Sequence, residues 1–530
     1  MKSKTPIGLN EPLKLADHPK PRTRRELISQ GFQMGMGTLL GGSVLSLFGA
    51  NPAHAQLSAD LLETLRIKGC GVNAGGSSAI PFICFDLAGG ANIAGSNVLV
   101  GGRGGQLDFL STAGYRKLGL PGDQLPGQNN PDLLSNTGFF YDDRLGLAFH
   151  SDSALLKGIM KRSTIGTWPN VDGCVIAARS ENDTGNNPHN PMYGINRAGA
   201  NGSLLALVGS RATDSGGNSM SPAMMINNAV RPTKIDRPSD ARGLVDVGDL
   251  IGLLAKDETV AVMESMYRLS LAKLGRSSTQ LDLTTDALIK KGLECGYLKS
   301  AYLASEFGDP NSLDPLLDDN LKTIFSATEL ASNGEYAKTA SVMKLVTSGY
   351  AGAGTITMGG FDYHTGDRTT GEMRDFQAGE CIGACLEYAR LKGTPLMIYV
   401  FSDGSVFSNG DVDNGAGGKL VWTGDNQQGA ASFFLVYNPN GKPTLARQDV
   451  NGTYAHRQIG YMAASGDVDT NSSSAANNVN LLVETVILNY MALHGQQGLF
   501  ADEKYFPRHG LGSSANWARL TAFNSIKSQT

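Results

Sequence analysis

The stretch "AIPFICFDLAGG", residues 79–90, decides how this chain is read. Its apolar residues run continuously instead of alternating with polar ones, and the run stops at a Gly-Gly pair. That is the pattern of a short strand buried on both faces, as in a parallel sheet. Five more runs have the same character: "GCVIAA" (173–178), "SLLALVG" (203–209), "GTITMGG" (354–360), "PLMIYVFSDG" (395–404) and "ASFFLVY" (431–437). Helical periodicities fill the gaps, over 257–275, 283–307, 335–349, 373–393 and 477–495. Strands separated by helices predict an α/β protein with a doubly wound, mostly parallel sheet. Residues from about 210 to 352 read as nearly all helical. They are expected to form a helical insertion within a single domain spanning 56–530.

In an open parallel sheet, ligands bind beyond the carboxyl ends of the strands. Four strand exits here are polar or glycine-rich: "DLAGGANIAGSN", "ARSENDTGNNPHNPMYG", "GGFDYHTGD" and "FSDGSVFSNGDVDNG". In the third, Asp362 and His364 stand two residues apart, so strand alternation directs both side chains to one face. A carboxylate and an imidazole on one face suit a divalent metal; the other reading is a polar turn. Asp86, inside the first strand, must be paired or metal-bound in so apolar a run. It is either a ligand or a cap for the backbone amides of the Gly-Gly loop. Ser96 is the hydroxyl best placed for a nucleophile, without the G-x-S-x-G elbow that would mark it as activated. His189, in an Asn/Pro-rich loop, is a ligand on the same rim or simply part of a turn. Asp403 and Asp425 both follow strand ends. "NGDVDNG" (409–415) and "GDVDTNS" (466–472) alternate acids as calcium loops do, but lack the complete D-x-D-x-D-G core and the glutamate at position twelve, and read as surface turns. Walker A, G-x-G-x-x-G after a strand and H-E-x-x-H are all absent from the sequence.

The amino-terminal "PRTRRELISQGFQMGMGTLLGGSVLSLFGANPAHAQ" places the pair Arg24–Arg25 before a glycine-rich apolar run, with Ala53 and Ala55 in a cleavage pattern. This is the layout of a twin-arginine export signal over residues 1–55. The apolar run of about 16 residues is shorter than the roughly 20 a spanning helix needs. Recognition by the twin-arginine translocase, a periplasmic or secreted location and no stable membrane span after cleavage are therefore expected. Seven basic and three acidic residues lie in 1–55, so removing them takes the net charge from −4 to −8. A chain this acidic, with no basic tract, is not expected to bind nucleic acid. Charged residues make up 18%, below the usual fraction of about 25%, and the 67 glycines imply many tight turns. The six cysteines include no C-x-x-C pair, and all six are expected to be free structural thiols.

Taken together, the twin-arginine signal, "DLAGGANIAGSN", "GGFDYH" and "VFSDGSVFSN" followed by "TGDNQQGAAS" resemble the segments of the Tat-exported domain-of-unknown-function 1501 family. That family belongs to the alkaline phosphatase/sulfatase-like superfamily. The resemblance implies an alkaline-phosphatase-like fold and a metal-dependent hydrolase of phosphate or sulfate esters. A small-molecule ester would be the substrate and a divalent cation (zinc, calcium or magnesium) the cofactor. The implied site is Asp86, His189, Asp362, His364 and Asp403 around the metal, with either Ser96 or a metal-bound water as the attacking group. The chain departs from the family pattern at Asn92, at Asp403-Gly404-Ser405-Val406 and at Asn426-Gln427. Those departures imply the alternative, a non-catalytic binding or assembly protein that kept the fold and lost ligands.

Overall fold

A computed structural model describes residues 57–68, 79–131, 135–180, 186–245, 256–276, 282–306, 310–366, 368–446 and 457–527. The segment expected to be an export signal, Cys70 and His456 lie outside these residues. The chain divides into two compact units. The larger is Leu62–Asp246 with Asp309–Thr530, and the smaller is Met1–Leu61 with Val247–Gly308.

The larger unit is built on an eight-stranded sheet. Its strands are β1 (Phe82–Leu87), β2 (Val171–Ala177), β3 (Leu205–Gly209), β4 (Thr233–Lys234), β5 (Ala351–Met358), β6 (Leu396–Ser402), β7 (Ala431–Tyr437) and β8 (Gln458–Ile459). Their order is β8-β2-β7-β6-β1-β5-β3-β4. β1 lies between two parallel neighbours, β5 and β6. β7 alone runs antiparallel, to both β6 and β2. The α/β class and the mostly parallel sheet are therefore as the apolar runs predict. The reversed β7 was not legible in its apolar run, because a strand buried on both faces looks the same in either direction.

Helices cover both faces. On one side lie α1 (Ala154–Arg162), α5 (Gly334–Thr347) and α6 (Arg368–Lys392), and on the other α2 (Met192–Arg197) and α7 (Val479–Leu493). Register puts Phe82, Cys84 and Asp86 of β1 beside Met397, Tyr399 and Phe401 of β6 on the α7 face. Ile83, Phe85 and Leu87 take the opposite face and are equally buried. Each such side chain contributes roughly 1.5–3 kcal/mol on burial, so this strand is held from both sides. α1 and α6 meet through glycine. A Cβ on Gly379 would fall 2.0 Å from the Leu155 carbonyl oxygen, and one on Gly383 would fall 2.3 Å from that of Ile159. This spacing of four brings the two backbones into direct contact on one helix face.

The smaller unit holds α3 (Lys256–Leu274) packed on α4 (Leu283–Glu306). Arg268 pairs with Asp60 at 2.8 Å, and the Leu57 amide donates to Ser305 Oγ at 2.8 Å. The region expected to be one helical insertion is thus divided. Residues 247–308 belong to the smaller unit, while 210–246 carries short turns and β4, and α5 packs on β5. Four cysteines are free and buried: Cys84, Cys174, Cys381 and Cys385. Cys295 is disulfide-bonded, which corrects the expectation of six free thiols. No helix among the described residues is long and apolar enough to cross a membrane.

Candidate metal centre at the strand exits

β1 leaves the sheet through a loop locked to both neighbours. The Ala88 amide donates to the Met358 carbonyl at 2.9 Å, and the Phe361 amide donates back to Ala88 at 3.3 Å. On the β6 side, Ser402 Oγ accepts from Gly90 and Ala91 and donates to the Leu87 carbonyl. Gly89 has φ +120°, and a Cβ there would sit 2.7 Å from the Asp362 nitrogen. Only glycine permits both the backbone conformation and this approach.

Past β5 the side chains alternate as expected. Phe361 and Tyr363 are buried, whereas Asp362 and His364 face outward. His364 Nε2 lies 2.7 Å from Asp362 Oδ1 and its Nδ1 lies 3.7 Å from Asp425 Oδ1. Asp425 arrives from a two-stranded ribbon, Val406–Phe407 with Gly424–Asp425. The Asn426 amide donates to the Ser405 carbonyl at 2.8 Å, closing that ribbon's end. One ligand atom from each of Asp362, His364 and Asp425 lies within 4.8 Å of the others. Their side chains are 63%, 30% and 44% exposed, so water can complete a coordination sphere. This is the sole His/Cys/Asp/Glu group of three among the described residues that could hold an ion.

Two buried networks fix the segments that carry it. In the first, Gly366 donates to the Trp422 carbonyl at 2.8 Å, and the Arg368 guanidinium lies 4.2 Å from the Trp422 ring centroid. Arg368 also pairs with Glu372 at 2.8 Å, and Lys419 reaches Glu372 at 2.6 Å and Asp152 at 3.0 Å. Burial works to raise the Glu372 carboxyl, but the two cations outweigh it and leave it below the usual range. These contacts tie the His364 turn to the approach of Asp425. In the second network, Tyr363 Oη accepts from the Asn92 amide at 2.8 Å and donates to Asp375 at 3.1 Å. Asn97 donates to the same carboxylate at 2.7 Å. Burial, with the negative charge of Glu372 adding to it, pushes the Asp375 carboxyl up to about 7.

The other expected site residues do not join the metal group. Asp86 is buried and accepts from the amides of Asn218 (2.6 Å) and Ser219 (2.9 Å) and from the hydroxyls of Ser219 and Thr357. It does cap backbone amides, but those of the 218–219 loop and not of Gly89–Gly90. Asp403 takes the Gly-Gly role: its Oδ1 accepts from the Gly89 amide at 2.8 Å and its Oδ2 from Asn218 Nδ2 at 3.2 Å. His189 is 3% exposed and stacks on Phe401 at 5.9 Å, with neither ring nitrogen hydrogen-bonded. Burial lowers its pKa to about 3. Ser96 is 1% exposed and accepts a hydrogen bond from the Asn92 side chain. The two acid-rich loops close as local turns, with Asp413 accepting from Gly415 and Asp469 from Asn471.

Asn218 is the residue that sequence reading missed. It bridges Asp86 and Asp403 from a Gly/Ser-rich loop that carries no motif. No protein-family model matches this sequence, and no curated protein does either. The chemistry of the site therefore rests on its own donor set. Two carboxylates and one imidazole, with open positions, fit a divalent ion that accepts nitrogen as well as oxygen.

Proposed function

We propose that this protein is an exported, metal-dependent hydrolase of phosphate or sulfate esters, with one divalent ion held by Asp362, His364 and Asp425. The observation that supports it most is the convergence of these three side chains beyond the carboxyl ends of the central strands. A divalent ion in such a site supplies Lewis acidity toward an ester oxygen and lowers the pKa of water. In this reading His364 would hold the ion together with Asp362 and Asp425, and the two acids would offset its charge. Ser96 is buried and bonded to Asn92, so water is the attacking group. The twin-arginine signal, which supports export, predicts that replacing Arg24 and Arg25 by lysine leaves the chain in the cytoplasm.

A second reading has its own support. Asp86 and Asp403 point their carboxylates at protein donors, so the deeper ligands of a two-metal hydrolase are committed to structure. A protein so arranged would bind an ion and a partner without turnover. Elemental analysis and metal titration of the mature chain, with p-nitrophenyl phosphate and p-nitrophenyl sulfate as substrates, separate the two. Stoichiometric metal and ester cleavage, both lost in Asp362→Ala, support the hydrolase. Metal binding without cleavage supports the second reading, and no metal binding overturns the metal centre itself.

A further inference from the structure

On the α7 face of the larger unit lies a cavity of about 580 Å³ that shares no lining residue with the Asp362 group. Its size falls within the range of small-molecule sites. Three polar groups stand in its lining: buried Glu484, buried Ser221 and exposed Arg508. Glu484, on α7, is 3% exposed, and its carboxylate accepts one described hydrogen bond, from the Gly510 amide at 2.8 Å. A carboxylate can accept about four, and burial raises the pKa of this one. Ser221 is 2% exposed and its Oγ has no partner. A buried hydroxyl left in that state costs about 1–3 kcal/mol. Arg508 stands exposed in the same lining and makes no ion pair among the described residues. The apolar wall is Leu481 with Met220 and Met224, two methionines that are 46% and 64% exposed. Methionine at an exposed wall adapts readily to varied apolar shapes.

A buried acid, an unused hydroxyl, an unpaired guanidinium and a flexible apolar wall around one cavity specify a ligand with two charged ends. We propose that this cavity binds a small apolar amino acid. Its ammonium would rest on Glu484 and Ser221, its carboxylate on Arg508, and its side chain against Leu481, Met220 and Met224. The site does not depend on the hydrolase reading, because none of its residues touches the metal group.

The test is calorimetric titration of the full mature chain with L-leucine, 3-methylbutylamine and 4-methylpentanoate. Leucine is expected to bind saturably, and each one-ended analogue at least about tenfold more weakly, a difference of about 1.4 kcal/mol. Glu484→Gln, which keeps an acceptor for Gly510, and Arg508→Gln should each weaken leucine binding about tenfold or more. Asp362→Ala should leave it unchanged. Ser221→Ala removes the unsatisfied hydroxyl, so it should fold at least as stably as the parent while binding leucine more weakly. No saturable leucine binding up to about 10 mM, well above the range of specific ligands, overturns the proposal. So does leucine binding that Glu484→Gln and Arg508→Gln leave intact.

Discussion

Replacing Gly89 by alanine tests how the β1 exit positions the metal group. Gly89 has φ +120°, outside the regions open to other residues, and holding a side chain there costs about 1–3 kcal/mol. The new Cβ would meet the Asp362 nitrogen at 2.7 Å and its Cβ at 2.9 Å, where ordinary contact begins at 3.4 Å. Backbone must therefore move by roughly 0.7 Å, and overpacking of this kind adds about 1–3 kcal/mol. The Phe361–Ala88 hydrogen bond and buried Tyr363 resist that movement from the far side. The sum is about 2–6 kcal/mol, read as a lowered urea midpoint at unchanged slope. Displacing Asp362 should also weaken zinc binding in a chelator competition, by about tenfold or more. Gly199→Ala is the control, since Gly199 has φ +111° but nothing within 4 Å of its added Cβ. It should show the conformational cost alone. If Gly89→Ala costs no more than Gly199→Ala and leaves zinc affinity intact, the close approach does not position Asp362 and the reasoning is wrong.

Two further substitutions probe buried ionisable groups. His189 is held neutral, with its pKa lowered to about 3 by burial, so its contribution is present above the unfolded value of about 6.5 and lost as pH falls toward 3. His189→Phe keeps the stack on Phe401 and removes two unpartnered nitrogens; stability at pH 7 should rise by about 1–3 kcal/mol and the acid loss should flatten. A loss of more than about 1 kcal/mol at pH 7 would show that the ring has a partner. Asp375 carries the opposite sign: burial raises it to about 7, so the native state holds a proton that the unfolded chain releases above about 3.9. Stability should decline between about pH 4 and 7 by an amount on the order of 4 kcal/mol. Urea midpoints of Asp375→Asn across that window should lack this slope; an unchanged slope means another group is responsible.

The parts of this protein that the sequence could determine alone are those governed by local periodicity. β7 was bounded to the residue by its apolar run, and α3, α4, α5 and α7 to within two residues by helical spacing. α6 begins five residues earlier than its apolar pattern suggested, because Arg368 and Thr369 enter the helix while Arg368 is buried against Trp422. The shared face of Asp362 and His364 also followed from alternation, since strand geometry alone dictates it. The partners of a polar group are a different matter. Asp86 lies within a strand, Asp403 follows one and Asp425 ends one, and nothing in their neighbours distinguishes them. Three-dimensional packing sorted them. Asn218 and the Gly89 amide reach two of the carboxylates and hold them inside, while a short ribbon carries the third over His364. A buried carboxylate must be satisfied by whichever donors the fold brings within hydrogen-bonding distance, and those donors lie more than a hundred residues away in the chain. Local pattern specifies which segments enter the sheet; only their assembly decides which acids are buried against backbone donors and which gather around His364.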